Sequence, residues 1–155
     1  MSSISTSSGY MKPSQTDSWG TPAYILEDLA KKCGELSPYD PCPLNDQPET
    51  NGLEQTWTDH ETQGRPIFVN PPYSDLKSTK KRGIGWIEKM YESSKSGQKI
   101  IGLFPARTDT EVFHDFVFKH GRVEFLRGRI RFINSTTGDP MGPAPFGCVY
   151  WFLNC

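Results

Sequence analysis

Two consecutive prolines behind a short apolar run constrain this chain more than any other feature. Ile67, Phe68 and Val69 read as a buried strand, and Asn70-Pro71-Pro72-Tyr73-Ser74 follows directly. Pro71 has no N–H to give to a ladder, so the strand must stop there. It also holds Asn70 extended and leaves the Pro71 carbonyl outside regular structure. The result is a stiff corner at the carboxyl end of a strand, where open α/β sheets place their ligands.

Two acceptors can converge at that corner, the Asn70 amide oxygen and the Pro71 carbonyl, beside the Tyr73 ring. Such a pair suits methylation of an exocyclic amine. The lone pair of such a nitrogen is delocalised into its ring, and acceptors gripping both hydrogens favour a pyramidal, nucleophilic form. This is preorganisation rather than proton abstraction. Tyr73 would offer a face to a base flipped out of its stack. The plainer alternative is a turn that ends a strand, with Tyr73 merely packed.

The rest of the chain supplies an α/β frame. Thr21 can cap a helix with Pro22 at its first position; Ile25, Leu26, Leu29, Ala30 and Cys33 form its apolar stripe, and Gly34 ends it. Leu36 to Cys42 reads as a weak strand ending in Asp40-Pro41-Cys42. Asp40 there is either an acceptor for a small ligand or a turn residue. Residues 43–66 are polar, and Leu53 and Trp57 are the expected docking points. A helix with Ile84, Ile87, Met90 and Tyr91 on one face precedes a strand at Ile100–Phe104, stopped by Pro105. Thr108 and Glu111 have capping-box spacing for a helix that buries Val112, Phe113, Phe116 and Val117 and ends at Gly121. Val123–Leu126, Ile130–Ile133 and a last strand from Gly147 to Leu153 complete the order. Strands alternating with helices predict a mostly parallel sheet with antiparallel strands at its C-terminal edge.

Residues 1–18, rich in Ser and Thr, read as a disordered tail, and 19–155 as a single domain. No run is apolar enough for a membrane span, and Cys33, Cys42, Cys148 and Cys155 show no metal-binding spacing. A reduced, cytoplasmic protein without a metal site or a membrane association is expected, with no protein partner implied. Residues 1–70 carry four basic against ten acidic side chains, and residues 71–155 thirteen against eight. A polyanion would therefore meet the second half. Lys77, Lys80, Lys81 and Arg82 follow the corner directly. Arg127 and Arg129, on one side of an extended segment with Arg131, are either a solvated edge or phosphate contacts.

With these pieces in place, the sequence resembles the phage-type DNA N-6-adenine methyltransferases, a Dam-like family. The resemblance runs from Trp19 to Phe152. It rests on Trp19-Gly20-Thr21-Pro22, Asp40-Pro41-Cys42, Gly52-Leu53 with Trp57, and Asn70-Pro71-Pro72-Tyr73. Pro105-Ala106-Arg107-Thr108-Asp109, Gly128-Arg129-Ile130 with Phe132, and Pro145-Phe146-Gly147 complete it. It implies methyl transfer from S-adenosyl-L-methionine to the 6-amino group of adenine in DNA. Asn70, Pro71, Pro72 and Tyr73 would hold the adenine. Trp19, Thr21, Pro22, Asp40, Cys42 and Asn70 would lie at the cofactor, and Arg107 would join the other basic residues on DNA. It further implies a class I, Rossmann-like methyltransferase fold. Only residues 43–66 separate the first strand from the central one, so that sheet is expected in reduced form. The same corner serves an RNA base or a protein glutamine amide, and a catalytically silent DNA-binding relative is the reading of another class.

Overall fold

The computed structural model describes residues 19–43, 52–81, 83–134 and 137–155. The expected tail, residues 44–51 and Arg82 lie outside the described residues.

Two six-residue strands form the spine. β3 (Ile100–Pro105) and β6 (Cys148–Leu153) are buried throughout and pair antiparallel from Ile100↔Leu153 to Pro105↔Cys148. Uninterrupted apolar strands of this kind need cover on both faces. β2 (Ile67–Val69) joins the far side of β3 in parallel, and β4 (Arg122–Phe125) joins β6 antiparallel, in the order β2-β3-β6-β4.

Each face receives a helical layer. On one side α1 (Ala23–Cys33) buries Ile25 and Leu29, while the Tyr150 hydroxyl donates to Asp28 at 3.2 Å and Lys32 pairs with Glu124 at 3.1 Å. On the other side α2 (Trp86–Ser94) buries Trp86, Ile87 and Met90. Met90 fits over Gly102 so closely that a Cβ there would stand 2.8 Å from its sulfur. Phe104 meets Phe113 and Trp151 edge-on at 5.7 and 6.2 Å. Trp57, 1% exposed, docks its segment against Trp86, with Leu53 partly buried beside the core. A separate ribbon pairs β1 (Trp19–Gly20) with β5 (Ile133–Asn134) antiparallel.

Several expectations change. β2, β3 and β4 point the same way, but β6 lies between β3 and β4, so β2·β3 is the one parallel pairing of this sheet. The fold is mixed α/β rather than mostly parallel. Leu36–Cys42 forms no strand: Pro38 and Pro41 withhold donors, and Ser37 N–H alone reaches across, to the Pro66 carbonyl at 2.8 Å. Thr21 does not cap α1, which starts at Ala23 with Pro22 in the cap position. Leu26 and Ala30 of the expected stripe face solvent. Residues 113–117 wind as a π-turn, with Phe118 N–H on the Phe113 carbonyl at 2.9 Å, and bury Phe113 and Val117. Ile130–Phe132 is not a strand, so the alternation expected to align Arg127, Arg129 and Arg131 is absent; Gly128, at φ +78°, turns the chain between the first two.

Candidate active site

Asn70 stands half-buried at the carboxyl end of β2 and uses both ends of its amide. Its Nδ2 donates to the Trp19 carbonyl at 2.7 Å and to Thr21 Oγ1 at 2.9 Å. Two acceptors on one side fix which end of the amide is nitrogen, and Oδ1 turns the other way. Oδ1 accepts the Tyr73 hydroxyl at 2.6 Å. Thr21, displaced from its expected capping role, thus ties the N-terminal ribbon to the corner.

Tyr73 points inward. It is 3% exposed, with ring centroids 6.5 Å from Trp19, 6.2 Å from Phe132 and 5.7 Å from Phe146. Burial pushes its hydroxyl well above the usual tyrosine range; Cys148 and Cys42 add to this, and the Arg107 cation opposes it. The group therefore remains a proton donor at neutral pH. Pro72 gives its carbonyl to Asp75 N–H at 3.1 Å, closing a tight turn over Tyr73–Asp75. Among the described residues no hydrogen bond reaches the Pro71 carbonyl. Arg107 Nη1 donates to the Tyr73 carbonyl at 2.9 Å, joining the end of β3 to the corner after β2.

Asp40 lies in a turn rather than at a strand end. Cys42 N–H donates to its Oδ1 at 2.8 Å. The residue reaches solvent, yet desolvation by the surrounding chain raises its carboxyl above the usual aspartate range, and the bond from Cys42 opposes this. Pro22 is buried at the start of α1.

A model of the DNA N-6-adenine-methyltransferase (Dam) family matches residues 8–153. The chain belongs to the Dam family. No curated protein and no solved structure matches it. Membership implies methylation of adenine in DNA.

The basic residues of this Dam-family chain divide by position. Thr79 and Gly83 exchange both backbone hydrogen bonds, at 2.9 and 2.8 Å, and exposed Lys80 and Lys81 lie between them. Ser78 anchors that loop by accepting Gly85 N–H at 2.9 Å and donating to Glu88 at 3.0 Å. Lys77 is exposed on the same loop, and Arg82 lies outside the described residues. Arg127 and Arg129 are exposed beyond β4, and Arg129 Nη1 donates to the Ala144 carbonyl at 3.1 Å. Because β2, β3 and β4 share a direction, Asn70, Arg107 and Arg127 all emerge at one end of the sheet. Phe132 and Phe146, which wall Tyr73, entered the sequence reading only as points of resemblance. Nothing local to them marks contact with a tyrosine far earlier in the chain.

No helix among the described residues is long and apolar enough to cross a membrane. None of the four cysteines is in a disulfide bond.

Proposed function

We propose that this protein transfers the methyl group of S-adenosylmethionine to the 6-amino nitrogen of adenine in DNA, with Asn70 Oδ1 and the Pro71 carbonyl as the paired acceptors. The observation that carries the reading is the anchored amide. Asn70 Nδ2 is held by Trp19 and Thr21, so Oδ1 has one direction, beside a carbonyl that no described group occupies. Prepaid orientation of this kind accelerates a reaction without an acid or base.

The Tyr73 hydroxyl leaves Oδ1 when the ring turns outward to meet the base, which opens Oδ1 to the adenine amino group. The two amino hydrogens then rest on Asn70 and Pro71, and the nitrogen lone pair points away from both. Amide oxygens are weak bases, so the surplus proton passes to solvent after transfer. Tyr73, once turned outward, stacks on the base, and Pro72 limits how far the corner deforms.

The donor set fits the cofactor. A carboxylate at Asp40 and the oxygens gathered around Trp19 and Thr21 suit an α-ammonium group beside a carboxylate-bearing methionine end. Cys42 follows Asp40 in the same turn and adds to the upward shift of the Tyr73 hydroxyl. When bound, S-adenosylmethionine supplies a methyl group made electrophilic by its sulfonium. Lys80 and Lys81, next to Arg82 in sequence, meet phosphates on the β2 side, and Arg127 with Arg129 on the β4 side.

The test is an incubation with methyl-labelled S-adenosylmethionine and, separately, unmethylated duplex DNA, RNA and a glutamine-rich protein extract, followed by digestion. Label in N6-methyldeoxyadenosine is the expected result. Label in ribonucleoside or glutamine assigns the corner another substrate. Retained DNA binding with no label anywhere identifies a silent relative.

A further inference from the structure

The Arg107 side chain was grouped with the DNA-binding cations by sequence, but its contact is to the catalytic corner. Its Nη1 donates to the Tyr73 carbonyl at 2.9 Å, in the Tyr73–Ser74 peptide, one residue beyond the Pro71-Pro72 pair. The arginine is itself held in place. Its own N–H bonds the Pro105 carbonyl at 2.9 Å, and its carbonyl accepts Thr110 Oγ1 at 2.6 Å. The cavity that Arg107 shares with Tyr73 and Lys77 also contains the carboxylates of Glu88, Glu111 and Asp115. Three carboxylates around two cations repel a phosphate, while leaving a guanidinium free to serve a neutral carbonyl.

We infer that Arg107 is a positioning residue for methyl transfer, not a phosphate contact, an inference that rests on the proposed methyltransferase reading. Its bond pins the peptide that follows the corner. Tyr73 can then turn its ring outward for the base while the Pro71 carbonyl keeps its aim. The bond adds a hold from the end of β3 to a turn that is closed by the Asp75 N–H on the Pro72 carbonyl and joined to α2 by the Ile87 N–H on the Leu76 carbonyl.

The experiment compares the wild-type protein with Arg107→Ala and Arg107→Lys. Single-turnover methyl transfer is measured at saturating DNA and S-adenosylmethionine, and DNA affinity is measured across a salt series. Loss of a charge-assisted hydrogen bond should slow transfer by Arg107→Ala about tenfold to a hundredfold. DNA affinity and its salt slope should stay unchanged, and millimolar guanidinium should restore part of the rate. A merely structural role would not respond to guanidinium. Arg107→Lys, which keeps charge and stem but not the planar fork, should fall between the two. It carries the test should Arg107→Ala melt below the assay temperature. A rate within twofold of wild type, or a salt slope lowered by about 0.9 with the rate intact, overturns the inference. A wild-type protein that methylates no adenine overturns the function itself and is read from the same wells.

Discussion

Asn70 shows how much one side chain can be asked to do. Its nitrogen closes the N-terminal ribbon onto the corner, and its oxygen is engaged by the residue that ends the motif. Tyr73→Phe should separate these functions. Removing the hydroxyl leaves Oδ1 without its partner, which costs about 1–3 kcal/mol of stability. It also opens Oδ1 to the adenine amino group, so methylation of DNA should keep or exceed the wild-type kcat/KM. A melting curve and initial rates read both, and a tenfold loss of rate in a folded protein would give the hydroxyl a direct role in transfer. Tyr73→Ala is a poor probe of stacking, since it empties a site 3% exposed and costs about 3–5 kcal/mol. Asp40 offers a test by pH. Burial raises its carboxyl above the usual aspartate range, so the carboxylate is lost at a higher pH than for an ordinary aspartate. Cofactor affinity by calorimetry should therefore fall as pH descends toward that raised value, and Asp40→Asn should be weak and flat over the same range. The corner's identity was legible because two prolines act on their immediate neighbours. The inward turn of Tyr73 was not, because Trp19, Phe132 and Phe146 come from distant parts of the chain.

Elements were legible where a local signal both starts and stops them. β2 ends at Val69, just short of the Asn70-Pro71 step, β3 ends with Pro105 and α1 ends before Gly34, at φ +90°. Where only composition spoke, tertiary contact decided. Leu36–Cys42 has apolar residues but too few donors for a ladder, and the helix expected after Thr108 widened into a π-turn that buries Phe113 and Val117. The loop after the corner gained a definition that its lysines alone could not convey. Gly85 lies so close that a Cβ would stand 2.3 Å from the Lys77 carbonyl carbon, and Ile87 N–H bonds the Leu76 carbonyl at 3.1 Å. A loop stapled at its base presents Lys80 and Lys81 in a fixed place. The double variant Lys80→Ala/Lys81→Ala should weaken binding to all DNA sequences alike and lower the salt slope by about 0.9 per lysine. Both residues are exposed, so the melting temperature should hold. An unchanged slope would move the phosphates to Arg127 and the β4 side.

At the scale of the molecule, the central sheet and the small ribbon have separate duties. β3 and β6 bury twelve residues between two helical layers and hold the fold, a pairing set by residues so far apart that no local pattern could reveal it. The β1·β5 ribbon is short and carries little of that core, yet it delivers Trp19 and Thr21 to Asn70. Activity should therefore be more sensitive to the ribbon than stability is. Gly20 is the place to test this, because it faces Ile133 across the ribbon and a Cβ added there would stand 2.7 Å from the Ile133 carbonyl oxygen. That atom is backbone, so the two strands must part. A strain of about 1–2 kcal/mol in Gly20→Ala should lower the melting temperature by only several degrees in a domain of this size. Displacing the Trp19 carbonyl should release the Asn70 amide from its fixed direction and slow methyl transfer about tenfold or more at a temperature where the variant is fully folded. Gly142→Ala is the matched control, since its added Cβ meets nothing within 4 Å. Equal small losses in both variants would show that the ribbon does not aim Asn70, whereas a selective loss in Gly20→Ala ties the chemistry at β2 to the β1·β5 ribbon.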